Sequence, residues 1–287
     1  MKTKQLVVNC KIILGTILIA VFWVLISEIG IVFILPWVDF RKHLGWPVLV
    51  FELLLEGLAI GLMIWRYKQH SQIIAFPLKN RWQQYCWGFM IGMFWFALVW
   101  LIAVLQKGFI VKYIFNWNNS GWFCLFLIGF MVQSMFEELL CRGYVMGRLL
   151  EANLPKTAIW VNSLLFMVLH VANSGFNWLP ACGLLLFALA MSIIRLKTQS
   201  LWFVGAFHAA WNFAEGVIFG SSVSGEETVA IIFNSVPMPA KPLINGGEFG
   251  IEGGLISVFL DGLLLLLVSL YFLYKTKYKS KGNLTDI

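Results

Sequence analysis

Apolar runs separated by short clusters of charge make up nearly the whole chain. With about 20 apolar residues needed to cross a bilayer core, candidate spans fall at 12–35, 46–65, 86–106, 121–147, 157–172, 178–195, 200–220 and 254–274. The pattern predicts an all-α, polytopic membrane helix bundle of about eight transmembrane helices, one domain over residues 1–287. The opening MKTKQLVVNCK places positive charge before an apolar run, as a signal peptide does. That run is too long and lacks a small-residue cleavage site, so it is expected to be a retained first span. The one long irregular segment, 221–253, contains SSVSGEETVA, PMPAKP and NGGEFGIEGG, whose Gly and Pro mark turns rather than a second domain. It either covers the outer face or merely links two spans. No internal repeat is visible.

Composition agrees with the pattern: 60% hydrophobic, 12% charged and a mean hydropathy of +0.82 lie outside the range of soluble domains. The net charge of +7 does not imply nucleic acid as a partner, because the basic residues fall in short gaps rather than on one face. They report topology instead. With the N-terminus in the cytoplasm, sixteen Lys and Arg lie in inside segments, among them Arg142, Arg148 and Arg195. Only five lie outside: Arg41, Lys42, Lys107, Lys112 and Lys241. This positive-inside bias alternates correctly over eight spans and puts both termini in the cytoplasm. Trp37, Trp46, Trp65, Trp82, Trp87, Trp117, Trp122, Trp178 and Trp202 cluster near span ends like an interfacial belt. The scattered cysteines Cys10, Cys86, Cys124, Cys141 and Cys182 contain no CxxC and are expected to be small buried hydrophobes without a disulfide framework. GxxxG spacings at Gly57/Gly61, Gly88/Gly92 and Gly143/Gly147 permit close helix contact. Lysine use and the compact form incline toward a bacterial plasma membrane protein.

Polar residues at membrane depth carry the chemistry. In MVQSMFEELLCRGYVMGRLL, residues 131–150, Glu138 and Arg142 are four apart, share a helix face and can pair. Glu137 points about 100° away with no local partner. An unpaired carboxylate in a low-dielectric site suits general-base work. The bland alternative puts both acids in water at a helix end. In the fifth span Phe166 and His170 are four apart, and in the seventh so are His208 and Asn212. Alone, each histidine is more often packing or interhelical glue. Depth argues otherwise. At about 1.5 Å per residue, Glu137 lies roughly 17 Å above Arg148, His170 roughly 21 Å above Lys156 and His208 roughly 12 Å above Ser200. All three reach the middle of a core about 30 Å thick, in a cavity opened most easily from the cytoplasm. Glu28, Glu52, Glu56 and Asp261 are expected to satisfy one another or lie near interfaces, and Glu248 and Glu252 fall on the side away from the cavity mouth.

EExxxR at Glu137, Glu138 and Arg142, FxxxH at Phe166 and His170, and HxxxN at His208 and Asn212, in that order, resemble the CPBP intramembrane endopeptidases, the Abi family that includes the CaaX prenyl proteases. The flanking RGYVMGRLL and NSLLFMVLH are similar to the family's wording. The likeness covers roughly residues 120–220, the expected catalytic core. It implies that Glu137 and His170 activate a water, that His208 and Asn212 polarise the scissile carbonyl and stabilise the oxyanion, and that Glu138 and Arg142 support the site's geometry. Glu137, His170 and His208 could also supply three ligands to zinc. No helix carries HExxH, however, and the reading favoured is glutamate-dependent with no cofactor.

The expected partners are membrane lipid and a peptide or lipidated protein substrate. The substrate is either a prenylated CaaX protein losing its last three residues or a small peptide such as a bacteriocin. The competing class is a non-proteolytic bacteriocin-immunity, peptide-binding or transport protein. A complete set of Glu137, His170, His208 and Asn212 favours the enzyme.

Overall fold

The computed structural model describes residues 2–34 and 46–282, with side chains for 5–27 and 53–277. The side chains of Glu28, Trp37, Arg41, Lys42, Trp46 and Glu52, singled out above, lie outside the described residues. Helices occupy all eight predicted runs: α1 (Lys2–Ile34), α2 (Trp46–Tyr67), α3 (Arg81–Leu105), α4 (Ser120–Glu138), α6 (Pro155–Leu169), α7 (Trp178–Thr198), α8 (Trp202–Phe213) and α10 (Leu255–Gly282). Helix α4 runs on through a π-helical stretch, Leu139–Val145, into the short α5 (Met146–Glu151), and α8 runs into a second π-helical stretch, Ala214–Ile218. A one-turn α9 (Pro242–Asn245) lies in the loop before α10.

Among the described residues five helices are long and apolar enough to cross a membrane: Gln5–Ser27, Arg81–Leu105, Trp117–Glu151, Trp178–Thr198 and Leu255–Lys277. Two of the predicted spans are shorter than expected. Helix α6 has 15 residues, about 22 Å of rise, and α8 has 12 before its π-helical stretch. Irregular backbone at membrane depth is tolerated where protein encloses it, and α8 is enclosed: residues 204–217 are all buried. The all-α expectation also needs one amendment. Strands β1 (Phe109–Tyr113) and β2 (Phe233–Pro237) pair antiparallel, Phe109 opposite Pro237 and Tyr113 opposite Phe233.

Close packing around α8 explains part of the glycine pattern. A Cβ on Gly88 would lie 2.4 Å from the Phe203 carbonyl oxygen, and one on Gly92 2.4 Å from that of Phe207, so these two residues let α3 touch the α8 backbone. Gly147 does the same against Gln72, at 2.5 Å, whereas Gly57 and Gly61 face open space. The bundle's outer face is apolar, with Leu18, Leu25, Phe94, Leu105, Phe259 and Leu273 exposed, and Trp65, Trp82, Trp117 and Trp178 exposed at or near helix ends.

Two expectations from composition are corrected. Only Cys141 is buried; Cys10, Cys86, Cys124 and Cys182 sit on the bundle surface, where an apolar exterior accepts them as readily as a core would. Arg142 and Arg195, counted as inside loop charges, are 0% and 1% exposed and belong to the protein interior, which trims the charge bias without reversing it.

Segment 221–253 is no simple linker. Strand β2 comes from it, Phe249 and Ile251 are fully buried, and Asn245 Nδ2 donates to the carbonyls of Gly108 at 3.0 Å and Met238 at 2.8 Å. The turn at Gly250 has φ +99, and a Cβ there would lie 2.0 Å from the Ser222 carbonyl oxygen, so only glycine fits.

Candidate functional site

The two adjacent glutamates face different partners. Glu138 is fully buried, and its Oε1 accepts from Arg142 Nη1 at 2.9 Å and from His208 Nδ1 at 3.1 Å. The Arg142 guanidinium in turn lies over the Phe166 ring, 4.3 Å from its centroid. Glu137 is held at Oε1 by Gln133 Nε2, one helical turn earlier. Its Oε2 is buried, has no hydrogen-bond partner and lies 3.8 Å from His208 Nε2. The four-residue spacing of Glu138 and Arg142 thus forms the predicted pair, and that pair also anchors a residue on α8.

His170 does not lie inside a helix. Helix α6 ends at Leu169 and His170 is its C-cap. The ring's Nδ1 donates to the Phe166 carbonyl oxygen at 2.7 Å, since a carbonyl can only accept, which leaves Nε2 with a free lone pair in the neutral ring. The Phe166 ring sits between the two imidazoles, with centroids 4.9 Å from His170 and 5.7 Å from His208. Because Glu138 is paired with Arg142 and accepts only, His208 Nδ1 carries a hydrogen. His208 can therefore donate from Nε2 only as an imidazolium. Asn212, one turn further along α8, donates Nδ2 to Gln133 Oε1 at 3.2 Å. Gln133 therefore ties the acid of α4 to the amide of α8.

A cavity of about 20 Å³, room for one water, opens beside His208 and Asn212, with Glu137 and His170 outside its lining. Phe166, Phe187, His208, Trp211, Asn212, Ser224, Glu252 and Asp261 are among its walls. The placement of Glu252 overturns the sequence reading. Assigned to the far side of the membrane, it instead projects from the 221–253 loop into the cavity, where Oε2 accepts from Trp211 Nε1 at 3.2 Å and Oε1 accepts from the Ser224 hydroxyl. Burial raises the pKa of this carboxyl, and the Ser224 hydrogen bond and the charge of His170 pull it back down, as do Trp211 and the charge of His208. Asp261, expected to be satisfied by another buried acid or to lie near an interface, is 2% exposed and accepts from Ser257 Oγ at 3.3 Å.

Among the described residues no three His, Cys, Asp or Glu side chains form a group that could hold a metal ion. The Nδ1 hydrogen bonds of His170 and His208 leave each ring's Nε2 as the nitrogen a metal would take, and Glu137 keeps Oε2 without a hydrogen-bond partner, yet the three side chains form no such group.

All three motifs lie in one stretch that matches a family model. Residues 118–214, about a third of the chain, match a family model described as type II CAAX prenyl endopeptidase Rce1-like. No curated protein and no solved structure matches the chain significantly. The Rce1-like stretch contains Glu137, Glu138, Arg142, Phe166, His170, His208 and Asn212, and it ends before the loop that carries Glu252.

Sequence reasoning missed Gln133, Trp211 and Glu252. Gln133 could have been found, since it precedes Glu137 by four residues and is polar at the same depth. Glu252 had no such signal, because its entry into the site depends on how a 33-residue loop folds.

Proposed function

We propose that this protein is a CAAX-type intramembrane endopeptidase in which Glu137 and His170 activate a water for attack on a peptide carbonyl. The observation that carries the reading is the second carboxylate oxygen of Glu137, buried, without a hydrogen-bond partner and 3.8 Å from His208 Nε2. An acceptor kept free in a low-dielectric site is what general-base chemistry requires. In this scheme a water proton passes to Glu137 or to the His170 Nε2 lone pair, and the hydroxide adds to the scissile carbonyl carbon. Imidazolium His208, flanked by the two glutamates, donates from Nε2 to the oxyanion, and Asn212 donates its second amide hydrogen. The abstracted proton then moves to the leaving nitrogen as the C–N bond breaks. No step passes through a metal.

The favoured substrate is a C-terminal CaaX segment whose lipidated cysteine stays in the bilayer, reached from the cytoplasmic side of a bacterial plasma membrane; a small bacteriocin-like peptide is the second choice. The test uses the full-length protein in lipid nanodiscs with farnesylated CaaX peptides and an unmodified peptide library, run beside Glu137→Ala and repeated with chelator. Turnover that falls by about 10³-fold or more in the alanine variant and survives chelation is expected. Equal turnover by Glu137→Ala would refute the assignment, and chelator inhibition reversed by zinc would refute the metal-free scheme.

A further inference from the structure

We propose that the 221–253 loop is part of the hydrolytic apparatus and that Glu252 is a positioning residue for the reaction, acting on α8 and on the two histidines from the cavity wall. The inference rests on the endopeptidase reading above. Glu252 spends both carboxylate oxygens on fixing structure. One holds the indole of Trp211, the residue immediately before Asn212 and three after His208, and the other holds Ser224 of its own loop. Its backbone N–H donates to Glu215 Oε1 at 3.3 Å, which ties the loop to the π-helical end of α8 as well. The loop is pinned a second time where Asn173 Nδ2, just beyond His170, donates to the Ser224 carbonyl at 2.7 Å. A single carboxylate thus joins the backbone that follows His170 to the helix that carries His208 and Asn212.

Its charge has a role too. Glu252 and His208 line the same cavity, and a charge on either histidine is felt at Glu252. A carboxylate there attracts the charge that a ring acquires when it takes a proton from water, an interaction stronger in the transition state than in the resting site. Glu215 and Asp261 are the other acids facing Glu252. Both are buried on the protein side and carry an oxygen without a hydrogen-bond partner. Glu252 differs from Glu215, which also reaches Trp211, in being tied through Ser224 to the backbone beyond His170.

The experiment compares wild type, Glu252→Gln, Glu252→Asp and Glu137→Ala as full-length proteins in nanodiscs, on the best peptide from the screen, with kcat and KM measured separately. Glu252→Gln keeps an acceptor for Trp211 and removes the charge. It is expected to lower kcat by about 10- to 100-fold with KM within about twofold, as loss of transition-state charge stabilisation would. Glu252→Asp keeps the charge and should recover part of that loss. A thermal scan showing Glu252→Gln folded like wild type ties the change to catalysis. Wild-type kcat in Glu252→Gln, or equal losses in Gln and Asp variants, overturns this inference while leaving the endopeptidase reading intact. Absence of hydrolysis by the wild type overturns both.

Discussion

Replacing Arg142 by Met should separate the stability of this bundle from its activity. Arg142 and Glu138 are both 0% exposed, so the substitution leaves a carboxylate enclosed in protein with only His208 beside it. Breaking a buried ion pair from one side costs about 3–5 kcal/mol, because the surviving charge has nowhere to go. Methionine keeps most of the side-chain volume over Phe166, so lost packing should contribute little. Removing both charges with Glu138→Gln and Arg142→Met together should recover most of that cost. The native pair is incompletely satisfied, with Arg142 Nε and Nη2 and Glu138 Oε2 lacking hydrogen-bond partners, so it has limited net stability to lose. The coupling between the two sites should then be about 3 kcal/mol. Hydrolysis should stay low in the double variant, because His208 no longer has the carboxylate that holds its Nδ1. The assay is reversible unfolding of the four proteins in mixed micelles, alongside peptide turnover. If Arg142→Met unfolds within about 1 kcal/mol of wild type, well below the cost of an orphaned buried charge, the pair is not what neutralises Glu138. If the double variant is no more stable than Arg142→Met, the cost lies in the contact with Phe166 and the argument from charge is wrong.

Gln133→Leu releases Glu137 and Asn212 together and should reduce kcat by about tenfold or more, since each of the two positioning hydrogen bonds lost contributes roughly 1–1.5 kcal/mol; turnover unchanged in the nanodisc assay would show the bridge to be unused. Gly92→Ala places a Cβ 2.4 Å from the Phe207 carbonyl oxygen and should destabilise the bundle by about 1–3 kcal/mol in the micelle assay. Gly61→Ala, with nothing within 4 Å, should be neutral or slightly stabilising through better helix propensity. Equal effects at the two glycines would contradict the packing of α3 on α8.

The eight helical segments and the motif residues were legible because each depends on local spacing. Apolar run length predicts a helix wherever it occurs, and a four-residue interval puts Glu138 beside Arg142 whatever surrounds them. Spanning was less legible, since α6 and α8 are apolar enough to pass as transmembrane yet stop short, and only tertiary enclosure allows that. The glycine motifs divide for the same reason: Gly88/Gly92 and Gly57/Gly61 are identical as text, and only the first pair meets a neighbouring backbone. Assigning Glu252 by topology failed because a side of the membrane is not a distance from the site, whereas the exposed Glu248 stays off the cavity lining. Glu252 belongs to a connecting segment and still reaches the cavity, because turns such as Gly250 fold that segment inward.

The early stop of α6 is what equips His170. In a continuing helix the Phe166 carbonyl would accept the backbone N–H of residue 170. Here that N–H turns instead to Met167 O at 3.1 Å, and the chain leaves the helix toward Gly175, whose φ of +73 no continuing helix allows. The Phe166 carbonyl is left to accept from the ring's Nδ1, which fixes the tautomer and directs the basic Nε2 away from the helix. The same residue's ring supports Arg142 and touches both imidazoles, so the FxxxH motif encodes a helix end and a shared aromatic surface as well as a histidine. A helix long enough to cross the bilayer would have carried the histidine past that carbonyl as one more buried side chain. Its shortness, together with the loop that covers the exposed end through Asn173 and Ser224, turns a membrane helix into a wall of the site.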